Sequence, residues 1–307
     1  MSLYAMLKRP GPSGFGYGST AEEVTAGVRL DGKTVLVTGC TSGLGRETLR
    51  VLALRGARVL GTARTLAAAR EACDAVGAGR AVPFACELSD PASVRACARE
   101  VARAAPPLDG IVCNAGIMAL PTRQVAHGVE LQLFTNHVGH FLLVTGLSPR
   151  LAEDGRVVVV SSTAHLRAPP EGIRFDDLAA ERGYSPWTHY GQSKLANILF
   201  AKALARRLDG RRTANALHPG VIKTNLGRHM PGVAQVGMAL LSPLAFKEVP
   251  QGAATQTWLA AHPATAALRG EYCADCNVAR PRRDAEDAAL AERLWDVTER
   301  LVAALPG

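Results

Sequence analysis

Short apolar runs alternate with longer stretches of helical spacing along most of the chain. Short apolar runs are typical of strands buried on both faces, and they lie at Thr34–Thr38, Ala57–Thr62, Ala81–Cys86, Gly110–Cys113, Arg156–Ser161, Thr213–Leu217 and Glu271–Ala274. Helical spacing predicts helices over Leu44–Arg55, Leu66–Val76, Ala92–Ala104, Val125–Leu151, Trp187–Leu208, Gln251–Ala261 and Ala285–Leu305. This alternation predicts an α/β fold with a doubly wound parallel sheet, which binds ligands at the carboxyl ends of its strands.

The start of the chain differs from this pattern. Residues 1–18 are rich in Gly and Pro and predict a loose arm. The stretch from Ser19 to Glu23 offers a hydroxyl and a carboxylate for a capping box, so we expect a short helix up to about Gly27. We see no internal repeat or linker. We therefore divide the chain into an arm with a short helix over residues 1–29 and one nucleotide-binding domain over residues 30–307.

Composition excludes several classes of protein. Hydrophobic residues make up 48% of the chain and charged residues 20%, which is enough for a large core and excludes a mainly disordered chain. The net charge is +8, but the basic residues are scattered and aromatic residues are only 5%. We favour a solvated, Arg-rich surface over a nucleic-acid partner.

The cysteines and the uncharged stretches bear on the compartment. Seven cysteines, mostly in apolar segments, predict reduced, buried thiols in a cytoplasmic protein. Cys273 and Cys276 have CxxC spacing without a second pair, so we expect no metal site. Neither uncharged stretch, Leu131–Pro149 or His229–Phe246, predicts a good transmembrane helix, and no signal peptide is visible. We expect a soluble protein.

A glycine-rich turn, TGCTSGLG at 38–45, joins the first predicted strand to the first helix. Glycine lets a backbone turn tightly and approach a pyrophosphate, and the helix amino terminus supplies free N–H groups. The alternative is an ordinary strand-to-helix loop. Because the turn lies in the first such unit of the sheet, we favour a nucleotide site.

The end of the second strand indicates which nucleotide binds. A carboxylate there would bind the adenosine ribose hydroxyls, but the chain has Ala63 followed by Arg64. A guanidinium pairs bidentately with phosphate, so we expect NADP, with NAD less favoured. The alternative is that Arg64 is simply solvated.

Tyr190 and Lys194 lie four residues apart on the long predicted helix, and so on one face. A nearby ammonium lowers the pKa of a tyrosine, which can then exchange a proton with a carbonyl or alcohol oxygen. YxxxK alone is common by chance. It gains weight because Ser161 and Ser162 end the fifth strand, where a hydroxyl could hold a substrate oxygen or merely cap a helix.

Other candidates follow the neighbouring strands. Asn114, Ala115 and Gly116 end the fourth strand, and His218, Pro219 and Gly220 end the sixth, ahead of Thr224. Asn136 lies in an apolar helix, where an amide needs a partner; an internal hydrogen bond is its alternative explanation. Every candidate falls at the carboxyl end of a strand or on a flanking helix, which carries the argument for one site.

These motifs together resemble the short-chain dehydrogenase/reductase family from about Leu30 to Leu305. The shared segments are TGCTSGLG at 38–45, NAG at 114–116, NHVGHF at 136–141, VVSS at 159–162, YGQSK at 190–194 and HPG at 218–220. SKLANILF at 193–200 and HPGVIKTNL at 218–226 are similar to the retinol dehydrogenases and the oxidoreductase domain of the WW-domain oxidoreductase. GEYCADC at 270–276 is similar to a late strand of that branch. The resemblance implies a Rossmann-type fold.

The resemblance also implies roles for single residues. Tyr190 would be the general acid/base, Lys194 would bind the nicotinamide ribose and lower the tyrosine pKa, Ser162 would hold the substrate oxygen, and Asn136 would anchor a water in a proton relay. The cofactor-binding residues would be Gly39, Thr41, Ser42, Gly43, Leu44, Gly45, Arg64, Glu87, Leu88, Asn114, Ala115, Gly116, Tyr190, Lys194, Pro219, Gly220, Ile222 and Thr224. Glu87 stands where the family usually has Asp near the adenine, so that contact is open.

The expected function is NADP(H)-dependent interconversion of a carbonyl and an alcohol. An apolar segment lies at 226–249, where this fold has its substrate lid. It is equally consistent with an apolar substrate and with plain core packing. One alternative is a carbon–carbon double-bond reductase of the protochlorophyllide reductase type. Another is a non-catalytic NADP-binding sensor or scaffold. The long apolar helices could pair in a homodimer.

Overall fold

A mostly parallel sheet of eight strands forms the centre of the computed structural model, which describes residues 8–77, 79–222 and 246–306. The strands are β1 (Thr34–Thr38), β2 (Arg58–Ala63), β3 (Ala81–Ala85), β4 (Leu108–Cys113), β5 (Leu151–Val160), β6 (Thr213–His218), β7 (Tyr272–Ala274) and β8 (Asn277–Val278). Their order is β8-β7-β6-β5-β4-β1-β2-β3, and only the β7–β8 pair is antiparallel. The predicted doubly wound sheet is confirmed.

Helices cover both faces of the sheet. They are α1 (Gly43–Leu54), α2 (Leu66–Asp74), α3 (Pro91–Ala104), α4 (Leu131–Leu133, the π-helical turn Phe134–Val138 and Gly139–Leu147), α5 (Pro186–Arg207), α6 (Val249–Gly252), α7 (Ala254–Ala261) and α8 (Ala288–Ala304). Short 3-10 turns lie at Glu23–Thr25, Ser148–Arg150, Thr163–Arg167, Pro263–Thr265 and Arg283–Glu286.

Local sequence explains where several elements begin. Every residue of β1 is buried, as its short apolar run predicts. Thr65 caps α2 by accepting from the Ala68 N–H, and Asp90 caps α3 by accepting from the Ala92 N–H. Strand ends differ from the prediction by a few residues, most at β5, which begins at Leu151 rather than Arg156.

The long helix predicted over Val125–Leu151 is wrong at both ends. Two-residue strands, Val125–Ala126 and Val129–Glu130, pair as a hairpin before α4 begins. The residues between them, His127 and Gly128, have φ of 50° and 77°, a conformation suited to a two-residue turn. At the other end the helix gives way to the 3-10 turn and then to β5.

The described part of the arm is not loose. The Ser13 N–H donates to Asn277 Oδ1 at 3.0 Å, and Asn277 Nδ2 donates to the Phe15 carbonyl at 3.1 Å. The predicted capping box is present, since the Thr20 N–H donates to Glu23 Oε2 and the Glu23 N–H to Thr20 Oγ1. It begins a single 3-10 turn rather than a longer helix. The hydrogen bonds of Ser13 and Phe15 to Asn277, on β8, hold the arm on the sheet.

All seven cysteines are buried free thiols, as predicted. Cys276 lies in the tight turn between β7 and β8, where Asp275 and Cys276 have φ of 51° and 60°. Among residues 8–77, 79–222 and 246–306, no group of three His, Cys, Asp or Glu side chains could hold a metal ion. No helix within the same ranges has the length and apolarity that a membrane crossing requires.

An aromatic cluster joins three helices on one face of the sheet. Ring centroids lie 5.5 Å apart for Phe141 and Phe200, 4.8 Å for Phe141 and Trp295, and 6.0 Å for Phe200 and Trp295. These rings come from α4, α5 and α8. Since α5 also carries Tyr190 and Lys194, this packing fixes the helix on which the candidate site depends.

We expect Phe200→Ala to lower the free energy of unfolding by about 3–5 kcal/mol, because it removes a fully buried ring and leaves a cavity. Urea unfolding followed by circular dichroism measures the change. Leu54→Ala is the control: this side chain is 54% exposed, so its loss should change stability by about 0.5 kcal/mol or less. Equal effects of the two substitutions would contradict this account of the core.

Candidate active site

The sequence-predicted residues converge on one edge of the sheet. The glycine-rich turn follows β1, Asn114–Gly116 follows β4, Ser161 and Ser162 follow β5, and Pro219–Gly220 follows β6. Because these strands are parallel neighbours, their carboxyl ends meet at the same edge. Thr224 and residues 223–245 of the predicted lid lie outside the described residues.

Close packing explains why the last residue of the glycine-rich turn, Gly45, has no side chain. A Cβ on Gly45 would lie 2.1 Å from the Gly39 carbonyl oxygen and 2.5 Å from Asn114 Nδ2. Asn114 Nδ2 in turn donates to the Thr38 carbonyl at 2.8 Å. The turn after β1 and the segment after β4 are therefore built against each other, with no space for a side chain between them.

The amino terminus of α1 can receive an anion. Ser42, at the N-cap, makes no side-chain capping hydrogen bond. Its hydroxyl therefore does not compete with a ligand for the first N–H groups of the helix. Thr41 and Ser42 are exposed, and Gly43 and Leu44 are half-buried. Uncapped N–H groups beside an exposed turn fit a pyrophosphate.

Arg64 follows the last residue of β2 directly and is exposed. Within the described part of the chain, no hydrogen bond or ion pair holds its guanidinium. Glu87 and Leu88, the predicted adenine-side residues, are by contrast hydrogen-bonded or buried. Glu87 Oε1 accepts from the N–H and Oγ of Ser89 at 3.1 and 2.8 Å, which commits the carboxylate to its own turn, and Leu88 is 4% exposed. Their contact with adenine stays a prediction.

Tyr190, Lys194 and Ser162 lie together. Lys194 Nζ lies 5.6 Å from the centroid of the Tyr190 ring and donates to the Val160 carbonyl at 3.1 Å. The Ser162 hydroxyl interacts with the Tyr190 phenol and lowers its pKa. Ser162 Oγ also accepts from the Ala164 N–H at 3.1 Å, so the cap that was its alternative explanation is present as well.

Burial sets the charge states of this pair. It raises the pKa of Tyr190 to about 12 despite Ser162, and it lowers the pKa of Lys194 to about 8. The lower tyrosine pKa expected from the Tyr–Lys spacing is thus outweighed in this structure, because spacing does not register the loss of water around the phenol. The phenol is neutral and holds its proton near neutral pH.

Asn136 uses its whole side-chain amide to connect two parts of the site. Its Oδ1 accepts from the Ile117 N–H at 2.8 Å, while its Nδ2 donates to the Ile117 carbonyl and to Ser193 Oγ, both at 2.9 Å. Ser193 lies between Tyr190 and Lys194 on α5. The internal hydrogen bonds weighed for Asn136 are therefore present, and its part in holding a water stays a prediction.

The segment after β6 packs against a partly buried ion pair. Gly220 has φ of 98°, and a Cβ there would lie 2.6 Å from Cδ of Lys247, which is fully buried and lies 2.7 Å from Asp275 Oδ1. His218 Nδ1 accepts from the Thr163 and Gly220 N–H groups at 3.3 Å each. This connects the β6 end to the turn after Ser162.

Sequence reasoning missed several buried polar residues of this edge. Thr38 Oγ1 accepts from the N–H groups of Asn114 and Ala115 at 2.9 and 3.0 Å. Ser161, which the sequence did single out beside Ser162, instead donates from its Oγ to the Lys194 carbonyl at 2.7 Å. Gln256, on α7, donates to Thr48 Oγ1 and to Asn114 Oδ1. The signal available for them was the one used for Asn136, a polar residue in an apolar run.

Comparison with known proteins agrees with this geometry. The profile described as short chain dehydrogenase matches residues 33–175. The chain is 40% identical to Short-chain dehydrogenase TIC 32 A, chloroplastic, of Brassica napus, with all of both chains covered. The chain belongs to the short-chain dehydrogenase/reductase family. It is also 40% identical to retinol dehydrogenase 14 of Mus musculus, over 90% of this chain and 87% of that protein, which confirms the resemblance to that branch.

Solved structures with the same fold agree with this family. An uncharacterised protein from Mycobacterium paratuberculosis matches with a TM-score of 0.74 and 34% identity, over 93% of this chain and 98% of that one. A short chain dehydrogenase from Burkholderia cenocepacia J2315, solved in complex with NADP, matches with a TM-score of 0.63 and 26% identity, over 80% and 96% of the two chains. The Rossmann-type fold is confirmed.

Membership establishes the coarse function. The protein is an oxidoreductase of a family that binds a nicotinamide cofactor. The uncapped helix and the glycine-rich turn described above fit such a group. The cytoplasmic location expected from the cysteines stays a prediction, since the Brassica relative is named as chloroplastic.

Gly45→Ala should weaken nicotinamide nucleotide binding by a factor of about 10 or more, because the new Cβ forces the turn away from Asn114. Fluorescence titration with NADPH gives the dissociation constant. Gly146→Ala is the matched control: this glycine lies in α4, and a Cβ there meets only the Cβ of Ala98, at 3.4 Å. If Gly45→Ala bound NADPH as tightly as the control, the turn would not be the pyrophosphate site.

Proposed function

We propose that this protein is an NADP(H)-dependent oxidoreductase that interconverts a carbonyl and an alcohol on an apolar substrate. The observation that carries the proposal is the grouping of the Ser162 hydroxyl, the Tyr190 phenol and the Lys194 ammonium beside a glycine-rich turn. A carbonyl oxygen that receives a hydride on its carbon needs a proton, and a buried phenol held by a second hydroxyl can deliver it.

The chain offers residues to hold the cofactor along the sheet edge. The turn from Gly39 to Gly45 would bind the pyrophosphate, Asn114–Gly116 would line the adenosine side, and Lys194 with Pro219, Gly220, Ile222 and Thr224 would seat the nicotinamide ribose and ring. When bound, the nicotinamide donates or accepts the hydride. The protein's part is to fix the positions of the reacting groups and the charges around them.

The proposed preference for NADP rests on Arg64. It is exposed at the end of β2, where an NAD-binding protein of this fold has a carboxylate for the ribose hydroxyls. An unpaired guanidinium at this point attracts a ribose phosphate. The Burkholderia relative was solved with NADP, which supports the same preference.

The proton chemistry follows from burial. Since the pKa of Tyr190 is raised to about 12, the neutral phenol predominates at physiological pH and can donate to a carbonyl oxygen. Ser162 would donate a hydrogen bond to that oxygen and hold it beside the phenol. Lys194 would stabilise the phenolate that remains after proton transfer. The neutral phenol is the form that carbonyl reduction needs, whereas alcohol oxidation needs the phenolate.

Exposed apolar side chains on the segments that follow Ser162 and β6 support an apolar substrate. Leu166, on the 3-10 turn after Ser162, is 60% exposed, and Val221, after the β6 end, is 49% exposed. Trp187 packs edge-on against Tyr190 with 6.2 Å between ring centroids, and the Arg167 guanidinium lies over Trp187 at 5.0 Å. Exposed apolar groups beside a polar catalytic cluster suit a ligand with an apolar body.

Tyr190→Phe should lower the rate of NADPH consumption with apolar aldehydes and ketones by a factor of about 100 to 10,000, because the proton donor is removed. Nicotinamide absorbance follows the rate, and product analysis shows whether the carbonyl has become an alcohol. Tyr184→Phe is the control, since Tyr184 donates to the Leu120 carbonyl at 2.7 Å and lies outside the cluster. We expect it to keep its activity.

The product analysis separates the alternatives. Loss of a carbon–carbon double bond with the carbonyl retained would replace the proposal by the double-bond reductase. NADPH binding without turnover across the panel would favour the sensor.

Arg64→Gln should weaken NADPH binding by about 10- to 100-fold and leave NADH binding nearly unchanged, because only NADPH carries the ribose phosphate. Titration of both nucleotides measures the two constants. Arg58→Gln removes an exposed arginine at the opposite end of the same strand and should alter neither. Equal losses for NADPH and NADH with Arg64→Gln would refute the assigned role.

A further inference from the structure

A fully buried histidine, His140, bridges the catalytic and nucleotide-binding halves of the site. Its Nδ1 lies 2.9 Å from the carbonyl oxygen of Asn136, and its Nε2 lies 2.9 Å from Thr38 Oγ1. Both partners are buried as well. His140 is on α4, while Thr38 ends β1 at the start of the glycine-rich turn.

The partners determine which ring nitrogen carries the proton. A carbonyl oxygen can only accept, so Nδ1 must donate to Asn136. In a neutral ring, Nε2 then accepts from the Thr38 hydroxyl. That hydroxyl already accepts from the N–H groups of Asn114 and Ala115. Its single proton has two acceptors within reach, and His140 Nε2 at 2.9 Å is closer than the Val112 carbonyl at 3.4 Å, so the proton points at the histidine.

His140 is not suited to carry protons. Burial lowers its pKa to about 4, and the Lys194 charge acts in the same direction. The ring therefore stays neutral across the physiological range. What remains is a fixed donor on one side and a fixed acceptor on the other.

Each end of the bridge leads to a functional group. Asn136 holds Ile117 and Ser193 through its amide, and Ser193 Oγ donates to the Tyr190 carbonyl at 2.7 Å. Thr38 holds the backbone of Asn114 and Ala115, the segment packed on the glycine-rich turn. The π-helical turn Phe134–Val138, which contains Asn136, is an irregularity that occurs often at functional sites.

We propose that His140 is a positioning residue: its Nδ1–H fixes Asn136, and through it the Tyr190–Lys194 segment, while its Nε2 fixes Thr38 and the nucleotide-binding segment. The inference rests on the proposed function for its kinetic part. Its tautomer and nucleotide-binding parts stand on the described contacts alone.

Two substitutions separate the ends of the bridge. An asparagine amide can reproduce the donor of Nδ1, and a glutamine amide reaches as far as Nε2. His140→Asn should keep kcat within about threefold and weaken NADPH binding about three- to tenfold, because the Thr38 bond is lost. His140→Gln should keep NADPH binding and lower kcat about tenfold, because the Asn136 bond is lost.

A matched control comes from the same helix. His137 is also buried, and its Nε2 bonds Thr298 Oγ1 on α8 at 2.9 Å, away from the cluster. His137→Gln should change the melting temperature without separating kcat from NADPH binding. If kcat and binding in all three variants simply followed the melting temperature, His140 would have a structural role only.

Nitrogen NMR of the histidines supplies a readout that needs no turnover. We expect the His140 signal of the wild type to report the Nδ1–H tautomer and to stay unchanged between about pH 5.5 and 8. An Nε2–H tautomer, or a titration in that range, would overturn the inference. Wild-type protein that binds NADPH, has this tautomer and turns over no carbonyl would refute the proposed function and leave the nucleotide-side role of His140 standing.

Discussion

Polar groups buried at the carboxyl edge of the sheet must satisfy one another, because water does not reach them. Thr38, Asn136 and Gln256 are each 1% exposed or less, and each connects two elements through hydrogen bonds. Removing one partner would leave another buried group unpaired, which is costlier than losing a surface hydrogen bond. The edge therefore behaves as one unit, and the candidate catalytic residues inherit their positions from it.

The sheet and most helices were predictable because their signals are local. The centre of the run from Thr34 to Thr38 is apolar, and Thr65 and Asp90 are preferred residues at helix N-caps. The errors arose where a local signal was overlooked or a distant contact decided. His127 and Gly128 form a turn inside a predicted helix, and the arm is held by Asn277, whose role no local pattern reveals.

The site was predictable as a location more than as a network. Strand order brings Ser162 and Asn114 to one edge, and helical spacing puts Tyr190 beside Lys194. A polar residue such as His140 within an apolar helix indicates that some partner exists, but only the packed fold identifies it as Thr38 and Asn136. Likewise, residue spacing predicts attraction between Tyr190 and Lys194, whereas the extent of burial determines that the phenol keeps its proton.

Helix α5 is buried along most of its length, including Tyr190, Ser193 and Lys194, whereas Leu166 and Val221, on the segments that follow β5 and β6, are exposed. A substitution on the helix disturbs the core, whereas a substitution at Leu166 or Val221 has little effect on stability. These exposed positions can therefore change during evolution while the helix stays unchanged. This separation makes the fold evolvable: descendants can acquire different substrates and keep the same proton-transfer residues.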